Sequence, residues 1–218
     1  MDNKKTHMFF ERYLDNDLDK LYNYLTQKQT DILDGKIESI PKEELSKFDQ
    51  YNGPSTQLGN YYNIFLFDSV EIFNLKHQLK RMIVEASHYY DIDFYEQAYM
   101  VHGWFNLDHK SGQGNTVSPL NNNVFFHDHM EGFGAPDFHG YYCVNAEPSS
   151  TFYKINNETV FENVNKNNRA IVSETGHPHG RDDWYHDKPR ITIAYDIVPL
   201  KKYGNTPSGV IPQKWIPL

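Results

Sequence analysis

The chain has 218 residues, enough for one domain, or a core with a helical extension, to bury a sizeable interior without disulfide staples. A net charge of −8 argues against general affinity for nucleic acid or anionic membrane, and the single cysteine, Cys143, rules out an intrachain disulfide. MDNKKTHMFFERYLDND lacks the apolar core of a secretory signal and no apolar run approaches membrane-span length, so a soluble cytoplasmic protein is expected.

Residues 14–29 carry Leu14, Leu18, Leu21 and Leu25 at spacings of four, three and four, which is one face of an amphipathic helix. Residues 30–60 are polar and broken by Gly35, Pro41, Gly53, Pro54 and Gly59; they predict a long connection with a short helix at KEELSKF. Asp68 and Glu71 then stand in capping-box positions, with Asp in place of Ser or Thr. Ile72, Leu75, Leu79, Met82, Ile83 and Ala86 continue a helical stripe, so a second helix is expected over about 69–89.

From about residue 95 the period changes. AYMVHGWFN, VFFHDH, FHGYYCVN, STFYKI, RAIVSE and RITIAYDIV are short, aromatic and β-branched, with Gly, Pro, Asn and Asp between them. They predict a β-sandwich or barrel, with the preceding helices able to cover one sheet. NNN at 121–123 and NVNKNN at 163–168 read as loops, and KKYGNTPSGVIPQKWIPL as an extended tail. One structural domain is expected: a helical region at 1–95, a core at 96–200 and a tail at 201–218.

Six of the eleven histidines lie between residues 127 and 186. On a strand, residues two apart share a face, so His127 and His129 in VFFHDH would point the same way and could hold adjacent positions on a metal. A third ligand must come from a distant strand, and TGHPHG offers His177 or His179. Arg190 opens the apolar strand RITIAYDIV; its fork suits a carboxylate, and Thr192 shares its face. Taken singly, each residue has an ordinary structural role available. Cys143 reads as a small buried hydrophobe, and His109, His177 and His186 as loop or surface residues. The joint pattern favours a metal at His127, His129 and His179.

With HDH at 127–129, FHGYYCVN at 138–145, HPHG at 177–180 and RITIAYDI at 190–197, the sequence resembles the iron(II)/2-oxoglutarate-dependent oxygenases. The prolyl-hydroxylase-like members are the nearest, and GWFN at 103–106 matches their WxN strand. The resemblance covers about residues 98–198. It implies a chain that is mainly β with flanking helices: a double-stranded β-helix (jelly-roll, cupin-like) core preceded by N-terminal α-helices. By resemblance, His127, His129 and His179 bind Fe(II), and Arg190 grips the distal carboxylate of 2-oxoglutarate beside Thr192. His139, Tyr141 and Cys143 share one face of FHGYYCVN, so Tyr141 rather than Tyr142 is the implied cosubstrate contact. Trp104 and Asn106 are candidates to line the same pocket. No catalytic residue beyond the metal ligands is implied. The reaction would couple decarboxylation of 2-oxoglutarate to succinate with oxidation of a substrate C–H by O2.

One departure matters. The second ligand of these enzymes is usually a carboxylate, completing a two-histidine, one-carboxylate triad. Here His129 fills that slot, leaving the site one unit more positive. Glu131, two residues on, or an inward-turned Asp128 would restore the carboxylate. The competing readings are a cupin-like three-histidine metal enzyme that does not use 2-oxoglutarate and a non-catalytic barrel that binds without reacting. The substrate is expected to be a small molecule or a peptide, and the helical N-terminal region could support a homodimer.

Overall fold

The computed structural model describes residues 9–37, 61–92, 98–109, 126–129, 138–155, 159–174, 177–200 and 215–218. Among the described residues, two α-helices and a short 3-10 turn at Ile64–Leu66 precede most of the strands. Helix α1 spans Leu18–Leu33 and begins later than the leucine spacing predicts, because Asp17 is its N-cap and accepts the Lys20 amide. Leu14 stays outside the helix and packs, partly buried, against the core that encloses Leu21, Leu25 and Ile32. Helix α2 spans Val70–Tyr89, as its apolar stripe predicts, but its cap is Ser69 rather than Asp68. The Ser69 hydroxyl accepts the Glu71 and Ile72 amides and donates to the Glu71 carboxylate. The expected KEELSKF helix lies outside the described residues.

Among the described residues, nine strands follow in order as β1 (Phe10–Tyr13), β2 (Tyr99–Asp108), β3 (Phe138–Asn145), β4 (Ser150–Ile155), β5 (Thr159–Val164), β6 (Arg169–Glu174), β7 (His179–Arg181), β8 (Arg190–Pro199) and β9 (Ile216–Pro217). They form a six-stranded sheet, β1-β6-β3-β8-β2-β9, and a three-stranded sheet, β5-β4-β7, with antiparallel pairing throughout. The chain is therefore mainly β with a few helices.

Three strand expectations change. β1 places a piece of the N-terminal region on the edge of the large sheet. β5 runs through Val164, so the Asn-rich loop begins later than the composition suggests. Among the described residues of VFFHDH, only His127 pairs, in an isolated bridge to His179. Within the tail, Ile216–Pro217 adds to β2 as a short strand.

The two faces of the large sheet differ. On β2, Tyr99, Val101, Gly103, Phe105 and Leu107 are buried, while the alternate residues from Met100 to Asp108 are only half-buried. The buried set joins Phe138, Tyr142, Ile191, Ile193, Tyr195 and Ile197 from β3 and β8 in one core with both helices. The opposite face carries Tyr141, Cys143 and Ile171, which pack against Tyr153 of the small sheet. Helices thus close one side of the large sheet, and the small sheet closes part of the other. Among the described residues, no helix is long and apolar enough to cross a membrane.

Candidate functional site

The face turned toward the small sheet is unusually polar. Cross-strand pairing aligns His102 of β2, Asp196 of β8, His139 of β3 and Ser173 of β6 in one row. The next rows along these strands are Trp104, Ala194, Tyr141 and Ile171, then Asn106, Thr192 and Cys143, then Asp108 and Arg190. Paired residues of a ladder point to the same side, so one pleated surface carries most of the residues predicted for the site.

The metal-ligand candidates meet at the end of this surface near Asp196. Paired backbone hydrogen bonds of 3.0 and 2.8 Å tie His127 to His179, although residues 126–129 form a single bridge rather than the strand expected. His127, His129 and His179 each offer a donor atom within 4.8 Å of the others. Their ring centroids lie 4.5 Å (His127 to His179), 5.2 Å (His129 to His179) and 5.5 Å (His127 to His129) apart. Trp104 stacks on His129 at 5.7 Å and 18°. Asp128 is exposed and belongs to neither donor cluster, and Glu131 lies outside the described residues.

A second cluster shares His129. His129, His139 and Asp196 also bring their donor atoms within 4.8 Å of one another. Asp196 holds His139 Nδ1 at 2.8 Å with one oxygen and His129 Nδ1 at 3.1 Å with the other. Burial opposes ionisation of Asp196, but these two contacts outweigh it and hold the carboxyl well below its usual range. Asp196 is the site residue that the sequence reading missed. The signal was present: Asp196 follows Arg190, Thr192 and Ala194 at strand spacing, so a charged residue occupies the inward face of an apolar strand.

Burial favours the neutral form of His127, His139 and His179. Burial pushes His139 down to about 4, with the His129 ring adding to the shift. Burial, then the neighbouring His139, His127 and His129, push His179 down to about 2. His179 Nδ1 lies 3.3 Å from the His177 carbonyl, which can only accept, so the lone pair of the neutral ring is on Nε2. Nε2 of His129 is buried and has no hydrogen-bond partner among the described residues. Three converging imidazoles and an orphaned ring nitrogen suit a divalent metal with a preference for nitrogen donors.

Arg190 is 3% exposed; its Nε donates to Ser149 Oγ at 3.1 Å and its Nη1 to Asp108 Oδ2 at 3.3 Å. Asp108 also takes Arg181 Nη2 at 2.7 Å on its other oxygen. Thr192 is buried and pairs in register with Asn106 and Cys143. The Tyr141 hydroxyl donates to Asn165 Oδ1 at 3.0 Å and accepts from Asn163 Nδ2 at 2.8 Å. Cys143 is fully buried, and burial pushes its thiol up to about 11, as expected of an inert packed side chain. His109 and His186 are exposed and outside both clusters.

No family model matches the chain, and no curated protein is similar to it in sequence. Solved structures are similar to it in fold. A Pseudomonas putida prolyl-4-hydroxylase is 7% identical, with 88% of this chain and 86% of that one covered and a TM-score of 0.52. AviO1 from Streptomyces viridochromogenes Tue57 is 11% identical, with 87% and 89% covered and a TM-score of 0.52. A 2OG-Fe(II) oxygenase-family oxidoreductase from Burkholderia pseudomallei is 12% identical at a TM-score of 0.43, and the chain spans 56% of that protein's length. The likeness in fold therefore rests on the prolyl-4-hydroxylase and AviO1 structures.

Proposed function

We propose that this protein is an iron(II)- and 2-oxoglutarate-dependent oxygenase of the hydroxylase type, with residues 96–200 as a double-stranded β-helix core. The observation that carries the reading is the convergence of the donor atoms of His127, His129 and His179 within 4.8 Å, with His129 in contact with Asp196 of the strand that also carries Arg190 and Thr192. Those three imidazoles are the proposed metal ligands, and the buried, unpartnered Nε2 of His129 is the atom a metal would satisfy. When bound, iron(II) and 2-oxoglutarate supply oxidative decarboxylation to succinate and oxidation of a substrate C–H by O2.

The chain's own contribution is placement and charge. Arg190 offers a fixed guanidinium to the distal carboxylate of the cosubstrate, with the Thr192 hydroxyl beside it. Asn106 and Tyr141 are proposed polar contacts of the same cosubstrate, and His139, Trp104 and Cys143 the lining of its pocket. Trp104, stacked on His129, and Tyr153 of the small sheet, beside His179, would hold those two rings in place. The substrate falls in the class of small molecules or peptides.

A second reading is favoured by one observation: the three nearest nitrogen donors bring no carboxylate. A cupin-like three-histidine enzyme that does not use 2-oxoglutarate would have that ligand set, and Arg190 would then hold a substrate carboxylate directly. Anaerobic absorption titration of the iron(II)-loaded protein with 2-oxoglutarate separates the two. A visible charge-transfer band is expected from keto acid chelated to iron. Iron uptake with no band would replace the first reading by the second, and no uptake would end both.

A further inference from the structure

We propose that Asp196 is a positioning residue of the metal centre, which sets the tautomers of His129 and His139 and returns the negative charge that a ligand carboxylate would have brought. The inference rests on the metal reading above. Both oxygens of Asp196 are engaged, each on an Nδ1, at 2.8 Å to His139 and 3.1 Å to His129. A carboxylate accepts and does not donate, so each ring carries its proton on Nδ1. A neutral ring protonated there has its lone pair on Nε2, the nitrogen that is orphaned and buried in His129. Metal-bound histidines commonly direct their second nitrogen at a carboxylate in this way, which fixes the ring and raises its basicity.

Charge supports the same assignment. An imidazole that binds a metal through its lone pair brings no charge, so a dication held by His127, His129 and His179 would keep its full charge. Asp196 lies one ring away and is itself 9% exposed. It faces His129 and His139 at contact distance and has His102 as its register neighbour on β2. The carboxylate that the ligand positions lack is thus supplied from β8 through an imidazole. His139 gains a role as well: its ring centroid is 3.9 Å from that of His129, and one carboxylate aligns the pair.

Asp196→Asn tests this without changing shape. The amide oxygen can accept one Nδ1–H, but the amide NH2 meets the other ring with a donor and forces that proton to Nε2. Long-range proton–nitrogen NMR of the metal-free protein should find His129 and His139 both protonated at Nδ1 in the wild type, and one ring switched in the variant. Zinc(II), as a diamagnetic probe, should bind the variant roughly 10- to 100-fold more weakly. On loading the wild type, both Nδ1–H signals should persist while Nε2 of His129 shifts.

Equal zinc affinity in the two proteins overturns the proposal and leaves the metal site standing. Loss of the His129 Nδ1–H signal on loading also overturns it, by making Asp196 and the Nδ1 atoms direct ligands. A wild type that takes up no zinc overturns the metal reading and this inference with it. If the variant does not fold, the wild-type tautomers and their response to zinc still decide the matter.

Discussion

Arg190 shares one carboxylate with a second guanidinium. Asp108 places one oxygen on Arg181 and the other on Arg190, so the pair is left one positive charge in excess. A second anion can therefore bind Arg190 without displacing its partner, which is what a cosubstrate carboxylate requires. Arg190→Ala is expected to raise the 2-oxoglutarate requirement steeply, since losing a buried charge-assisted pair costs roughly 2–5 kcal/mol. Iron(II) binding should be largely retained. Titration of 2-oxoglutarate against succinate release reads the first and an iron(II) binding titration the second, and unchanged cosubstrate dependence would take Arg190 out of the site. The histidines and Arg190 stand out in the sequence because imidazole pairs at i and i+2, and a guanidinium opening an apolar strand, are rare in ordinary packing. The spacing from Arg190 marks Asp196 as inward-facing, but its partners are not legible: the cross-strand register sets it beside His139, and only the fold brings in His129.

At the scale of elements, Gly140 shows why β3 contains the sequence HGYY. It pairs with Tyr195 of β8, whose ring crosses it so that the hydroxyl can donate to the Ile171 carbonyl at 2.8 Å. A Cβ at Gly140 would collide with the Ile171 carbonyl oxygen and sit 2.5 Å from Tyr195 Cε2. Gly140→Ala is therefore expected to destabilise the fold by about 1–3 kcal/mol or more, as overpacking against backbone does. A lower urea midpoint with an unchanged slope would record it, and a wild-type midpoint would mean that the ring moves aside freely. The helices and central strands are legible from sequence because burial on one side imposes a period. β1 and β5 lack that imprint: three of the four residues of β1 are exposed, and Val160, Phe161 and Val164 of β5 are all substantially exposed. VFFHDH carries the β-branched and aromatic signal of a strand, yet His127 is held by a two-bond bridge to His179 and His129 by its contact with Asp196.

For the whole molecule, the site lies where two sheets meet: β3 and β8 of the large sheet bring His139 and Asp196, and β7 of the small one brings His179. The metal-free protein therefore carries a cost at acid pH. His139, at about 4 when folded, and His179, at about 2, both lie below the usual 6.5. The unfolded chain takes up these protons first, so stability is unaffected above about pH 6.5 and falls as pH drops toward 4, on the order of 3 kcal/mol from His139 alone. Asp196 adds to the loss only below the ordinary carboxylate range, where the unfolded state gains its proton. Urea midpoints of metal-free protein at pH 7 and pH 4.5 should differ in that direction, and equal midpoints would contradict neutral buried imidazoles. The ten paired positions joining β2 to β8 have a further consequence for how this sequence can vary. Odd and even residues of one strand answer to different demands, one set to the helices and the other to chemistry, so substitutions in the two sets should combine almost independently. Insertions and deletions have no such freedom, because a shift of one residue exchanges the sets and turns Arg190, Thr192 and Asp196 toward the helices. The lineage of such a protein can explore new side chains at these positions one at a time, but it cannot change the length of either strand.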